Sequence, residues 1–323
     1  MMADFSFETW QWLASAEAET LLREELLPKS GDVFRRTLFL REKKGLSPER
    51  ASAVATLLTL REKGKKKFPD AERMFFTPVG LEQSTDAWVA AYKASRFPAG
   101  VCAADVCTGV GGDLCALAGR GPTVGVEKDA VMAFIAELNL ESRRLCRRSG
   151  GVSCVICMDA ADFAERFPPE EVPLVHVDPD RRPAGIRSSR MEFFSPTEEV
   201  LERILAGRKL AAVKLAPGSK PPEAWCERGE MEWISRDGEC RQLVAWMPSA
   251  EYEAGFCRGM HRATIIAVWN ETTAGNEAQR SDRIVPLSRS PLLSGHCAGA
   301  TFPAAVLCAS ADADSAARRS AAT

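Results

Sequence analysis

The stretch Asp105-Val106-Cys107-Thr108-Gly109-Val110-Gly111-Gly112-Asp113 decides how the rest of the chain is read. The apolar run Val101–Cys107 leads into it and a helical pattern, Asp113–Ala118, leaves it. A strand, a glycine-rich turn and a helix in that order bring backbone close to a ligand, because glycine has no side chain and tolerates positive φ. An acidic residue near the strand end adds a hydrogen-bond acceptor at the same place. A dinucleotide-binding turn prefers G-x-G-x-x-G, whereas the third glycine position is here Leu114. The turn therefore reads as a nucleotide-type cradle that leans away from a dinucleotide.

Downstream, short apolar runs alternate with helical stretches, the signature of a parallel α/β sheet. Strands are expected at Thr123–Glu127, Val152–Cys157 (read as a buried strand), Leu174–Asp178 and Lys209–Leu215, with helices at Ala130–Arg147, Ala160–Arg166 and Pro196–Ala206. Past Gly229 the runs lengthen: Glu230–Ser235, a turn at Arg236-Asp237-Gly238, Cys240–Met247 and Arg262–Trp269, which together suit an antiparallel edge. Upstream, Trp10, Leu13, Ala14, Ala18, Leu21 and Leu22 recur at helix spacing. Ser47-Pro48-Glu49-Arg50 opens a helix running to about Lys63. Thr77-Pro78 opens another, carried by Leu81, Trp88, Val89 and Tyr92 to Phe97. The expected fold class is α/β: a Rossmann-like, mostly parallel sheet with an antiparallel edge. An N-terminal helical region (1–67) precedes the main domain (68–282), and a low-complexity tail (283–323) follows it.

Composition sets bounds. Of 323 residues, 46% are hydrophobic and 27% charged, with a formal net charge of -2, so a nucleic-acid surface must be a local patch. No run of about 18 apolar residues occurs, and MMADFSFETWQW lacks a basic region before an apolar stretch, so neither a membrane span nor a secretory signal is expected. Eleven cysteines include one C-x-x-C, Cys154 and Cys157. Three positions apart on a strand, they face opposite sides and would share no ion without a bend. The expectation is no metal, and reduced thiols in a cytoplasmic protein. Asp312 to Thr323 has almost no large apolar residue and is expected to be disordered.

Acidic residues follow the strands. Glu127, before Lys128, ends the second strand about twenty residues past the turn, where a carboxylate can accept both hydroxyls of a ribose. Asp159, before Ala160, closes the third strand, and Asp178-Pro179 the fourth. Singly, each reads equally as a helix cap or a loop residue. At successive strand ends of an open α/β sheet they line one crevice. Asp105, Glu127, Asp159 and Asp178 together read as a site for S-adenosylmethionine.

With those residues in view, the chain resembles a known family. Lys67-Phe68, Met74-Phe75-Phe76-Thr77, Gly80-Leu81-Glu82-Gln83, the glycine turn, Val177-Asp178-Pro179-x-Arg181-Arg182 and Lys214-Leu215-Ala216-Pro217-Gly218 are similar to bacterial class I methyltransferases with a THUMP-like domain. The glycine turn and the Phe-Thr-Pro segment also resemble trimethylguanosine synthases, which methylate the exocyclic amine of an RNA cap. The resemblance spans about Phe68 to Trp269. It implies an S-adenosylmethionine-dependent methyltransferase acting on RNA. It also implies that Asp105, Gly109, Gly111 and Asp113 surround the methionine part of the cofactor, with Cys107, Thr108 and Gly112 between them. Glu127 and Lys128 would hold the ribose, and Asp159 and Ala160 the adenine. Asp178, Pro179, Asp180, Arg181 and Arg182 would face the methyl group, and Lys66, Lys67, Phe76 and Thr77 the substrate.

The fourth-strand run departs from the amine-methylating pattern, which has Pro-Pro and an aromatic after its first residue. It is also similar to the Asp-Pro-x-Arg of 5-methyluridine methyltransferases, yet Lys214-Leu215-Ala216-Pro217-Gly218 stands where those carry a nucleophilic cysteine. Arg181 and Arg182 read equally as phosphate contacts and as salt-bridge partners of loop carboxylates. Local support for RNA comes from Arg61 to Lys67, which reads also as a solvated helix end, from Arg143, Arg144, Arg147 and Arg148, and from Arg181 to Arg190. The family implies a C-terminal THUMP-like module. After Asp282 the chain is rich in Ala and Ser with no α/β pattern, so that module is expected to be truncated or altered. Three other readings stand beside the first. They are an S-adenosylmethionine- or RNA-binding protein without catalysis, a methyltransferase of a small molecule or protein, and a nicotinamide-dependent oxidoreductase.

Overall fold

The structure, a computed structural model, describes residues 5–23, 33–144, 152–180, 194–266 and 284–286. The chain divides into two compact units, Met1–Leu174 and Val175–Thr323. No helix among the described residues is long and apolar enough to cross a membrane.

The first unit begins with four helices: α1 (Phe7–Leu13), α2 (Ala16–Leu22), α3 (Val33–Lys44) and α4 (Pro48–Gly64). Serine caps start three of them: Ser6, Ser15 and Ser47 each accept a backbone N–H from the first turn, and Pro48 is pre-set for the helix that Ser47 opens. Helix α4 is the centre of this group. Its Ala51, Ala53, Val54, Ala55, Leu57 and Leu60 are buried, and α1, α2 and α3 pack on it. Glu49 ties α1 to its start by accepting from the Ser6 amide (3.1 Å) and the Ser6 and Thr9 hydroxyls (2.8 Å each).

A single helix was expected from Thr77 to Phe97. The structure instead makes two, α5 (Pro78–Gln83) and α6 (Ala87–Arg96). Asp86 causes the break: its carboxylate caps α6 by accepting from the Trp88 and Val89 amides (3.1 and 3.0 Å), a role open only to a residue outside the helix. Leu81, Trp88 and Val89 keep helical spacing across the gap, which hides it from periodicity.

Then the alternation sets in: β1 (Ala103–Val106), α7 (Gly112–Leu117), β2 (Thr123–Glu127), α8 (Ala130–Arg144), β3 (Cys154–Cys157) and α9 (Ala160–Arg166). Strands β1, β2 and β3 run parallel with β2 central, in register Ala103↔Thr123 and Val124↔Cys154. The expected buried strand from Val152 is corrected. Val152 lies outside β3 and is 88% exposed, and β3 itself is only half-buried because it is an edge. Glu137 of α8 accepts the Val155 amide (2.6 Å), satisfying a donor that an open edge would present. Cys154 and Cys157 form no disulfide, and among the described residues no group of three His, Cys, Asp or Glu could hold a metal.

The second unit contains β4 (Leu174–Val177, its first residue the last of unit one), α10 (Glu198–Leu205), β5 (Leu210–Leu215), α11 (Glu223–Arg228), β6 (Glu230–Arg236), β7 (Glu239–Pro248), β8 (His261–Ile266) and β9 (Ile284–Pro286). Their order is β4-β5-β7-β6-β8-β9. Strand β7 is antiparallel to both β5 and β6, as the sequence led one to expect. Asp237 and Gly238, both at positive φ (55° and 77°), make the tight hairpin turn between β6 and β7. Strand β8, expected antiparallel, pairs parallel to β6, because the Ala250–Gly255 turn carries the chain past β7 to the far side of β6. Helix α11 and strand β9 had no counterpart in the sequence reading. Arg147 and Arg148, Arg181 to Arg190, the end of the expected strand at Trp269 and the expected disordered stretch Asp312 to Thr323 lie outside the described residues. The fold is Rossmann-like α/β with an antiparallel edge.

Gly112 is held by space alone. A Cβ on Gly112, the first residue of α7, would lie 2.8 Å from the Thr85 carbonyl oxygen, which cannot swing aside as a side-chain tip could. Gly→Ala in a helix ordinarily stabilises by about 1 kcal/mol. Here the clash reverses the sign, and Gly112→Ala is expected to destabilise by about 1–3 kcal/mol, read as a lowered urea midpoint with unchanged m-value.

Candidate functional site

Because β1, β2 and β3 are parallel, their carboxyl ends lie on one edge of the first unit's sheet. That edge holds the glycine turn, Glu127 and Asp159. The turn folds back over β2, with the Cys107 and Thr108 amides both donating to the Val126 carbonyl (2.8 and 3.1 Å). The Thr108 hydroxyl lies 2.7 Å from Asp105 Oδ2, and both residues are buried, so Asp105 organises the turn from within. Cys107, Gly109 and Gly111 take positive φ (62°, 56° and 84°). Such a value is uncommon for cysteine and marks a backbone shaped by its surroundings.

Gly109 is where the turn opens. A Cβ there would meet nothing within 4 Å, and its amide donates to Glu127 Oε2 (3.0 Å). Glu127 Oε1 accepts the Asp129 amide (3.1 Å). Burial pushes the Glu127 carboxyl up from its ordinary range, the nearby Asp129 adds to this, and the amide bonds pull the other way. Asp113 turns inward to an ion pair with Lys93 (2.8 Å) at the start of α7, where a carboxylate also suits the helix dipole. Asp159 is exposed and caps α9 through the Ala161 amide (2.8 Å), with Ala160 buried behind it. Lys128 is exposed next to Glu127, and its carbonyl lies 3.7 Å from the Cys157 sulfur.

The structure therefore gathers Cys107, Thr108, Gly109, Gly111, Gly112, Glu127, Lys128 and Asp159 on one edge, with Asp105 and Asp113 as their internal supports. The four substrate-side candidates fall differently. Phe76 is fully buried, its ring 5.6 Å from that of Phe68. Thr77 caps α5 through the Gly80 amide (2.9 Å). The Lys67 ammonium donates to the carbonyls of Leu81, Glu82 and Ser84, each at 2.8 Å, closing the carboxyl end of α5. Only Lys66 is exposed. Arg61 stacks on Phe75 (5.2 Å) and donates to the Met74 carbonyl (2.8 Å), and burial pushes its guanidinium down to about 10. Arg143 pairs with Asp70 (2.8 Å).

In the second unit, Asp178 follows β4 and lies 2.5 Å from the Lys214 ammonium on β5. Pro179 is buried, and Asp180 exchanges backbone bonds with Ser195 (2.9 and 3.0 Å). Arg181 and Arg182 lie outside the described residues.

Sequence reasoning gave no role to three residues that hold these parts. Lys93 and Lys214 are buried cations, each beside one of the acids already singled out. Asn139 accepts the Phe75 amide (2.7 Å) and donates to the Phe75 and Val110 carbonyls (2.9 and 2.8 Å), pinning the Phe-Thr segment to the glycine turn. Its signal was present, an amide between two leucines on an apolar helix face.

No protein-family model matches the chain and no curated protein matches it. Among solved structures it is similar to a candidate methyltransferase from Porphyromonas gingivalis W83, with a TM-score of 0.61 and 20% identity over 83% of this chain and 63% of that one. The chain thus spans under two thirds of that relative's length. A candidate rRNA methylase from Clostridium thermocellum (TM-score 0.34, 14% identity, 49% of this chain and 93% of that one) also matches. So does the magnesium protoporphyrin IX methyltransferase of Synechocystis PCC 6803 with bound SAH (0.30, 16%, 41% and 54%). The first likeness shows the fold: a Rossmann-like α/β sheet of class I type.

The two neighbouring lysines are expected to separate on substitution. Lys67→Met leaves three carbonyls uncapped and is expected to lower stability by about 1–3 kcal/mol, whereas Lys66→Ala stays within about 0.5 kcal/mol, both read by denaturant unfolding.

Proposed function

We propose that the protein is an S-adenosylmethionine-dependent methyltransferase whose acceptor is RNA. One observation carries the cofactor half. The turn that leaves open space at Gly109 is bonded, through that residue's own amide, to a carboxylate on the next strand. A carboxylate has about four lone-pair sites. Glu127 accepts from the Gly109 and Asp129 amides, with the Lys128 amide also drawing on it, which leaves acceptor capacity for a ribose hydroxyl. The residues present therefore fit the nucleoside part of this cofactor, and Leu114 in the third glycine position argues against a dinucleotide.

Glu127 would hold the ribose, Asp159 would accept from the adenine amine, and the amides from Cys107 to Gly111 would hold the methionine end. When bound, the sulfonium supplies a methyl group already primed for attack. The chain's own task is to align the acceptor and take up its proton. Asp178 is the residue for that proton. The Lys214 ammonium 2.5 Å away holds its side chain in place. Arg181 and Arg182 would hold a phosphate of the acceptor.

Calorimetric titration tests the cofactor half. Glu127→Gln is expected to weaken S-adenosylmethionine binding about 10-fold or more, since an amide cannot replace a charged acceptor. The pH dependence has a definite sign. Burial raises the Glu127 pKa, so the binding-competent carboxylate is lost as pH falls through a value above the ordinary carboxylate range. Wild-type affinity should decline with acidity earlier than a surface carboxylate would dictate, and Glu127→Gln should be flat over that window. Binding by the variant equal to wild type would remove Glu127 from the site.

For the transfer half, labelled cofactor is incubated with fractionated total RNA and the labelled nucleoside identified after digestion. Asp178→Ala is expected to lose methyl transfer by about 100-fold or more while still binding cofactor. Label found only in protein or small-molecule fractions overturns RNA as the acceptor.

A further inference from the structure

Asn139 is fully buried on α8, and its side chain bonds to backbone outside its own helix. Its oxygen accepts the Phe75 amide (2.7 Å), and its nitrogen donates to the carbonyls of Phe75 (2.9 Å) and Val110 (2.8 Å). Exchanging that oxygen and nitrogen would set an N–H against the Phe75 N–H and an oxygen against two carbonyls, so the network fixes the amide's orientation. Both donors and the carbonyl oxygen are in use. A side chain needed only to satisfy Phe75 would stop after two bonds. The third reaches the middle of the glycine turn.

What the third bond holds follows from the peptide it touches. Val110 lies between Gly109 and Gly111, both at positive φ. A peptide unit that precedes a glycine can turn over, because glycine accepts φ of either sign. The Val110–Gly111 unit is gripped from both sides: Asn139 takes its carbonyl, and its N–H donates to the Thr108 carbonyl (3.0 Å). The turn also rests on α8 at this point. A Cβ on Gly111 would lie 3.6 Å from Ala136, three residues before Asn139 on the same helix face.

The other end of the clamp leads away from the turn. The Arg61 guanidinium of α4 lies over the Phe75 ring (5.2 Å) and donates to the Met74 carbonyl (2.8 Å). Met74 and Phe75 are thus held by α4 on one side and by α8 on the other. We infer that Asn139 is a positioning residue for cofactor binding. It keeps the Val110–Gly111 peptide in the orientation that the cofactor meets, and it couples that orientation to the Met74–Thr77 segment. This rests on the S-adenosylmethionine site proposed above and adds the residue, outside the turn itself, that keeps the turn competent.

Coupling is reciprocal: if Asn139 ties the segment to the turn, a ligand that orders the turn must also order the segment. Hydrogen–deuterium exchange of the full chain, with and without saturating S-adenosylhomocysteine, reads this in the wild type. Peptides covering residues 74–77 are expected to slow on binding together with those covering 105–113. Asn139→Leu keeps the volume and removes all three bonds. With its folding checked by circular dichroism, it is expected to bind S-adenosylhomocysteine about 10-fold more weakly by calorimetry. Its 74–77 response should vanish even when the ligand saturates the turn.

Slowed exchange at 105–113 with none at 74–77 in the wild type overturns the coupling, and that readout needs no variant to fold. A folded Asn139→Leu that binds as tightly as wild type, losing only denaturation midpoint, also overturns it, since that is all a structural role would give. So does a 74–77 response that persists in the variant. If wild type binds no S-adenosylhomocysteine, the cofactor site and this inference fail together, whereas equal binding by wild type and variant removes Asn139 alone.

Discussion

A half-buried carboxylate must find donors, and Glu127 finds them in two backbone amides. One belongs to Gly109 in the turn after β1 and the other to Asp129, just past the end of β2. The side chain thereby fixes the glycine turn to the neighbouring strand end, and this sets the distance between the two structures that a nucleoside would bridge. The turn has positive φ at three residues, and this bond adds to the buried Thr108–Asp105 contact that holds its conformation.

Around this bond the unit is built so that the turn cannot drift. Lys93 holds Asp113 at the foot of α7, Asn139 holds Val110 from α8, and Gly112 admits the Thr85 carbonyl at a distance no side chain would allow. Each is a buried polar contact or a close backbone approach, and so each tolerates little movement. The segment from Lys67 to Asp86 contributes the same kind of support. Lys67 closes α5, and Asp86 opens α6. Residues that resemble substrate contacts in sequence, Lys67 and Phe76, do structural work of this kind, while Lys66 beside them is exposed.

How much of this was legible beforehand follows from the range of the interactions. The glycine turn, the parallel strands and the carboxylates at their ends were readable because strand periodicity and turn chemistry are local. The break before α6 was not, since Leu81, Trp88 and Val89 keep their spacing through it and only the Asp86 cap reveals the boundary. The edge position of β3 was also hidden: Cys154–Cys157 is as apolar as a central strand, and its exposure follows from having a neighbour on one side only. The parallel pairing of β8 to β6 depends on where a turn of mixed composition sends the chain. Lys93 carried no signal, and Lys214 stood out only as part of a resembling block without a role, because a cation inside an apolar stretch becomes meaningful only once its acid is found beside it.

The central claim is that the edge formed by the glycine turn, Glu127 and Asp159 is where the cofactor lies. Hydrogen–deuterium exchange of the full chain, with and without saturating S-adenosylhomocysteine, tests this most directly. The account predicts slowed exchange in peptides covering residues 105–113, 127–129 and 157–161. Unchanged exchange in all three, or protection confined to residues 61–83, would contradict it.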